Sequence, residues 1–286
     1  MKRFNRVLFL GSVLLLLVLT AGTVLAQSDW DAMAQKLYDA AQAGKPFPLI
    51  TEEKPDLTLE ESYQIQSAYS KLVLDGAAPS GFKAGLTAQA LMEKFGSTEA
   101  LAGILLASGA NEYTGEAVVV NKADYRNLML EIEIAYILKE PLTGPIANVD
   151  DLKAMIAAVA PAVELPDLSF SDMAKLRAVD LNATAVASDS YIIGEKTPLA
   201  DAPDLNAIDA VLTLDGEEIL RGKGSDTLGD QWETVLWLVN NMTARGWTLK
   251  EGDVLISGAM GAMVPGKPGT YAFTAGDLGK IDFIVQ

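Results

Sequence analysis

The run from Leu130 to Leu138, Leu-Glu-Ile-Glu-Ile-Ala-Tyr-Ile-Leu, carries two carboxylates two positions apart in an otherwise apolar stretch. As a β-strand, its period of two puts Glu131 and Glu133 on one face and Ile132 and Ile134 on the other. Any fold that uses this strand must supply an apolar layer on one side. On the other it must supply water or a partner for two like charges, because burying them unpaired is costly. A hard divalent cation such as Mg²⁺ or Mn²⁺ is one such partner, since both take carboxylate oxygens. Spacing alone leaves both the cation site and the solvated strand face open.

A third carboxylate sits in a similar setting. Glu164 interrupts the small apolar run Ala158 to Leu165, which reads as a buried strand, and a buried Glu usually needs a partner. Lys83 lies in Gly81-Phe82-Lys83-Ala84-Gly85-Leu86-Thr87, between glycines and just before a helix that Thr87 could cap. A lysine where the backbone can approach closely is a candidate to bind a substrate carboxylate or to move protons. An ordinary turn lysine fits the same spacing.

The composition restricts the chemistry. The 286 residues include no Cys and no His, which excludes disulfides, zinc fingers, His-dependent triads and haem or iron–sulfur ligation through those side chains. Any metal must therefore be held by oxygen. With 38 acidic against 22 basic residues the surface is unsuited to a phosphate backbone, so nucleic acid is not an expected partner.

Residues 1–26 differ from the rest. Lys2, Arg3 and Arg6 precede an apolar run from Val7 to Leu19, and Val24-Leu25-Ala26 gives tolerated residues before Gln27. That is the pattern of a secretory signal peptide. Its removal takes away three positive charges and moves the net charge from −16 to −19. The expectation is an acidic, exported protein, periplasmic or extracellular, with no membrane span once the signal is cleaved.

Residues 27–80 read as a helical N-terminal region, with one helix from Ser28 to Ala43 and a second opened by the capping-box pair Thr58 and Glu61. From Gly81 the chain becomes short β-like runs between Gly, Pro and Asp turns, with Asp215-Gly216 as a hairpin signal. Helices are expected at 88–95, 149–160 and 228–245. This is an α+β pattern without the regular alternation of a doubly wound sheet. Gly261 to Lys267 approaches a Walker A motif, but Pro268 stands where Ser or Thr should hold Mg²⁺.

Gly81-Phe82-Lys83-Ala84-Gly85-Leu86-Thr87, the Glu131 to Ala135 strand, Pro161-Ala162-Val163-Glu164, Tyr191-Ile192-Ile193-Gly194 and Gly252-Asp253-Val254-Leu255-Ile256-Ser257-Gly258 follow one another in order. In that order the chain resembles the 2-keto-4-pentenoate hydratase and 4-oxalocrotonate decarboxylase branch of the fumarylacetoacetate hydrolase superfamily. The resemblance implies a small helical N-terminal region on a mixed β-roll, with residues 81–286 as the catalytic domain. It implies Mg²⁺ or Mn²⁺ held by Glu131, Glu133 and Glu164. The metal would chelate a small 2-oxo acid and stabilise an enolate as a Lewis acid, and Lys83 would assist proton transfer. The family often assembles into multimers, so a homo-oligomer is one expectation.

The resemblance also exposes departures. Family hydratases tend to carry an acid where Leu101 stands and an Asp-Asn pair where Thr184 and Ala185 stand; a local gap would bring Glu99 near the first and Asn182 or Asp189 near the second. Family enzymes also normally act in cytoplasmic catabolism of aromatics, so a signal peptide is unusual. Three readings stay open. One is a hydratase-like lyase on a 2-oxo or 2-hydroxydienoic acid, and a second is a decarboxylase or C–C hydrolase, although the hydrolases often use a His that is missing here. The third is a non-catalytic oxo-acid-binding protein.

Overall fold

The computed structural model of the protein describes residue 27 and residues 29–286; the expected signal peptide lies outside the described residues. Among those described, no helix is long and apolar enough to cross a membrane. The chain opens with helices α1 (29–42), α2 (Ile50–Glu53) and α3 (Leu59–Leu74). At the start of α3 the capping box forms: Glu61 N donates to Thr58 Oγ1 at 3.2 Å, and Thr58 N donates to Glu61 Oε2 at 2.9 Å. There follow β1 (Gly81–Gly85), α4 (Gln89–Phe95), β2 (Leu101–Leu105), β3 (Ala110–Glu112), β4 (Val118–Val120), β5 (Met129–Leu138), α5 (Val149–Ala154), β6 (Ile156–Leu165) and α6 (Ala178–Ala183). The remainder is β7 (Ser190–Ile193), β8 (Thr197–Pro198), β9 (Asp209–Leu214), β10 (Glu217–Lys223), α7 (Gln231–Ala244), β11 (Val254–Ile256), β12 (Val264–Pro265), β13 (Gly269–Ala275) and β14 (Lys280–Val285).

The strands form two mixed sheets. The larger runs β2-β1-β11-β5-β6-β7-β3, with β12 on β5 and β8 on β6; the smaller runs β10-β9-β13-β14-β4. This is the α+β class that the sequence pattern implies. The centre of the larger sheet is the antiparallel β5–β6 pair, in register from Glu131 opposite Glu164 to Ile137 opposite Ala158, with a shift before Leu138 opposite Ile156. Leu130, Ile132, Ile134 and Tyr136 point into the main hydrophobic core, together with Val159, Val163 and Leu165 of β6. The opposite face carries Ala135, Ala160 and Ala162 in a smaller cluster, and Glu131, Glu133 and Glu164 share that face by alternation. Asp215 and Gly216 close the β9–β10 hairpin with φ of +52° and +87°, the left-handed pair a two-residue turn requires.

Three sequence expectations are corrected. The helix expected over 149–160 stops at Ala154, and Ile156 to Ala160 join β6. An Ala-rich apolar run is ambiguous between helix and buried strand, and pairing along nearly all of β5 decides for the strand. Lys83 lies inside β1 rather than in a turn. Its flanking glycines serve close packing: a Cβ on Gly85 would lie 2.6 Å from Val186 Cγ1, and one on Gly103, opposite Lys83 in β2, 2.4 Å from Ala185 O. Thr87 does not cap α4, whose N-cap is Ala88 with no side-chain bond; Thr87 is buried and its carbonyl accepts from Leu228 N at 3.0 Å.

Candidate metal centre

The backbone brings four charged side chains to one face of the larger sheet. Glu131 and Glu133 come from β5, Glu164 comes from β6 directly opposite Glu131, and Lys83 comes from β1, which pairs with β11, the neighbour of β5. Glu131, Glu133 and Glu164 each place a carboxylate oxygen within 4.8 Å of the others. Glu133 and Glu164 are fully buried and Lys83 is 1% exposed, while Glu131 is partly open. The register that puts Glu131 across from Glu164 is set by the apolar side chains on the other face, because a one-residue slip would turn those toward the carboxylates.

Each buried carboxylate spends one oxygen on the protein and keeps the other free. Glu133 Oε2 accepts from Gly258 N at 2.6 Å, whereas its Oε1 has no partner. Glu164 Oε1 accepts from Lys83 Nζ, whereas its Oε2 has no partner. Gly258 follows β11 with φ of +97°, and a Cβ there would lie 2.5 Å from Thr87 Oγ1, so glycine alone lets this N–H reach Glu133. Lys83 Nζ also donates to Val186 O at 3.1 Å. Val186 sits in a turn of three successive left-handed residues, Ala185, Val186 and Ala187, with φ of +53°, +60° and +54°. A β-branched residue in that region is strained, and its carbonyl is one of the two groups that hold the lysine.

The electrostatics favour additional positive charge at this site. Burial, and then the neighbouring Glu164 charge, push Glu131 up to about 7 despite the opposing effect of Lys83. Burial together with Glu164 and Glu131 holds Glu133 well above the usual carboxylate range. Burial works against the Lys83 ammonium, but Glu164, Glu131 and Glu133 outweigh it and hold its pKa above the ordinary lysine value. Three carboxylates against one ammonium leave two uncompensated charges when ionised, and two buried oxygens lack a donor. An oxygen-binding divalent cation answers both requirements.

Beside the centre lies a cavity of about 380 Å³ lined by Lys83 and Glu131 and by residues from α4, α6 and the loop before β12. The departures fall as follows. Leu101 is buried at the start of β2 opposite Gly85, on the strand face of Lys83. Glu99 is exposed. Asn182 is occupied elsewhere, with Nδ2 donating to Ser62 Oγ at 2.8 Å and Oδ1 accepting from Gln66 Nε2 at 3.1 Å. Thr184 Oγ1 donates to Leu181 O at 2.9 Å, and Asp189 lines a separate cavity with Asp124, Arg126 and Asp167. No gap therefore supplies the missing acid. The Walker-like segment continues into β12 rather than a helix, and Gly261, Ala262 and Met263 line the cavity instead.

Sequence reasoning missed two contributors, the Gly258 N–H and the Val186 carbonyl. A glycine straight after a strand was the available signal for the first. Nothing in Ala-Val-Ala announces a left-handed turn.

Comparison with known proteins gives a consistent set of relatives. A model of the fumarylacetoacetate (FAA) hydrolase C-terminal family matches residues 102–284. The chain is 31% identical over 252 residues to the 2-keto-4-pentenoate hydratase of Burkholderia vietnamiensis, covering 87% of this chain and 95% of that one. It is 27% identical over 241 residues to a 4-oxalocrotonate decarboxylase of a Pseudomonas species, covering 83% and 89%. Among solved structures it is similar to 4-oxalocrotonate decarboxylase from Pseudomonas putida G7 complexed with magnesium and adipate, with a TM-score of 0.83 at 25% identity over 91% of this chain and 98% of that one.

Proposed function

The chain belongs to the fumarylacetoacetate hydrolase family, and from that premise we propose that it is an exported, Mg²⁺- or Mn²⁺-dependent hydratase-like lyase acting on a small 2-oxo or 2-hydroxydienoic acid. The observation that carries this reading is the pair of buried, unpartnered oxygens on Glu133 and Glu164 within a cluster of three carboxylates. Glu131, Glu133 and Glu164 would hold the cation, which supplies Lewis-acid stabilisation of negative charge developing on the substrate's 2-oxygen.

The protein's own residues do the rest. The Gly258 N–H fixes the Glu133 carboxylate, so its second oxygen has a set direction. Lys83 donates to Glu164 and to the Val186 carbonyl, which leaves one of its three N–H donors for a ligand in the cavity it lines. That donor can bind the substrate carboxylate or hand a proton to the carbon chain. The apolar wall of the cavity excludes water from the remainder of the substrate and strengthens these interactions. The acidic exterior does not steer an anion inward, so attraction is local to the cation and Lys83.

Leu101 favours a second reading. With an apolar residue on the strand face of Lys83 and no acid beyond the three carboxylates brought to it, the site could hold a 2-oxo acid without turning it over. A spectrophotometric assay of 2-hydroxypentadienoate decay separates the two, run with Mg²⁺, with a chelator and with Lys83→Ala. Metal-dependent decay that Lys83→Ala abolishes supports the lyase. Metal-dependent binding of oxalate without decay, and without exchange of the C3 protons of a 2-oxo acid in deuterated water, supports the binding protein.

A further inference from the structure

The cavity beside the carboxylates is larger and more apolar than a five-carbon acid requires. Its volume is about 380 Å³. Eight heavy atoms, even at a full liquid-water share of about 30 Å³ each, take roughly 240 Å³ and leave room for several more. Its charged groups sit unevenly. Lys83 and Glu131 mark the end next to the metal centre, whereas Leu86, Leu91, Phe95, Leu168, Leu181 and Met263 are the large apolar side chains of the remaining wall. Leu168 and Leu181 are buried, and the other four are partly buried. The other cation on the lining, Lys94, is exposed, with its Nζ 5.2 Å from the centre of the Phe95 ring. A carboxylate at the far end of a ligand would lose its hydration among these side chains without a buried, bidentate partner.

We infer that the ligand of this site is a monocarboxylic 2-oxo or 2-hydroxydienoic acid with an apolar tail of about the size of an aryl group, seated against Leu91, Phe95, Leu181 and Met263. This rests on the head-group reading given under Proposed function. It separates the chain from a relative whose structure holds adipate, a dicarboxylate. The tail supplies burial that a bare 2-oxo acid lacks, at about fourfold in affinity for each methylene removed from water. Leu91 and Met263 are then the residues that set tail length, one on α4 and the other on the loop before β12.

The test is calorimetric titration of the Mg²⁺-saturated protein with oxalate, 2-oxobutyrate, 2-oxohexanoate, 2-oxoadipate and 2-oxo-4-phenylbutyrate. The expected result is that 2-oxo-4-phenylbutyrate binds at least about tenfold more tightly than 2-oxobutyrate, and 2-oxohexanoate more tightly than 2-oxoadipate. Within Leu91→Trp the advantage of the phenyl ligand over 2-oxobutyrate should disappear, and within Met263→Lys the 2-oxohexanoate to 2-oxoadipate ratio should invert. Oxalate binding with no gain from the tail, or with 2-oxoadipate preferred, would overturn the tail assignment and leave the head-group reading standing. Failure of oxalate to bind the metal-saturated protein would remove the head-group reading, and this inference with it.

Discussion

Replacing Lys83 with Met tests the electrostatics of the centre before any substrate is known. Met keeps much of the volume of the stem and removes the charge. Lys83 is 1% exposed and Glu164 fully buried, so the ion pair is hardly screened by solvent. Breaking a buried pair from one side costs about 3–5 kcal/mol, because the remaining charge stays buried. Here the loss also leaves Glu131, Glu133 and Glu164 without a cation. In urea unfolding with a chelator at pH 8, Lys83→Met should be less stable by that amount. The deficit should shrink toward pH 5, where the carboxyls can take up protons instead. Saturating Mg²⁺ should restore a larger share of stability in the variant than in the parent, since one hundred times the dissociation constant contributes about 2.7 kcal/mol by mass action. A double-mutant cycle with Glu164→Gln should give a coupling of about 2–3 kcal/mol. A loss below about 1 kcal/mol in chelator, or a coupling near zero, would refute the argument that the lysine balances the buried carboxylates.

Burial, reinforced by Asp167 and partly opposed by Arg126, pushes Asp189 up to about 6, so the folded state binds its proton more tightly than the unfolded chain; its stabilising effect is complete below about pH 4 and lost as pH rises through about 6. Asp189→Asn should therefore flatten the fall in stability between pH 4 and 6 and be more stable than the parent at pH 7 by on the order of 2 kcal/mol; unchanged pH curves from chemical denaturation would contradict this. Gly258→Ala combines a positive φ with a Cβ 2.5 Å from Thr87 Oγ1, and should cost about 2 kcal/mol or more in thermal unfolding while weakening metal binding through Glu133. Expressed from its full gene, the mature chain should begin at Gln27 by mass spectrometry of the exported fraction; an intact Met1 terminus confined to the cytoplasm would contradict export.

Much of the centre could be read from residues whose side chains conflict with their surroundings. Glu131, Glu133 and Glu164 interrupt apolar strands, and the period-two rule puts the first two on one face without any tertiary knowledge. Joining Glu164 to them required the β5–β6 register, a long-range pairing that no local pattern encodes. The same pairing claimed Ile156 to Ala160 from the expected helix. Lys83 was visible as chemistry but its strand was not, because Gly81, packed against the Val254 backbone, and Gly85, packed against the Val186 side chain, look like turn residues. The left-handed turn at Ala185 to Ala187 was illegible, since its residues disfavour the conformation they adopt and tertiary packing imposes it. The cavity wall was equally hidden, because Leu91, Leu181 and Met263 come from three separate segments that read as ordinary core.

The central claim is that three carboxylates on one sheet face bind a divalent cation, and calorimetric titration of the mature protein with Mn²⁺ tests it most directly, with Glu133→Gln beside it. The expected result is one Mn²⁺ per chain in the parent and affinity reduced at least about tenfold in the variant, whose circular dichroism is unchanged. Equal affinity in the two proteins, or no binding by the parent, would contradict the claim.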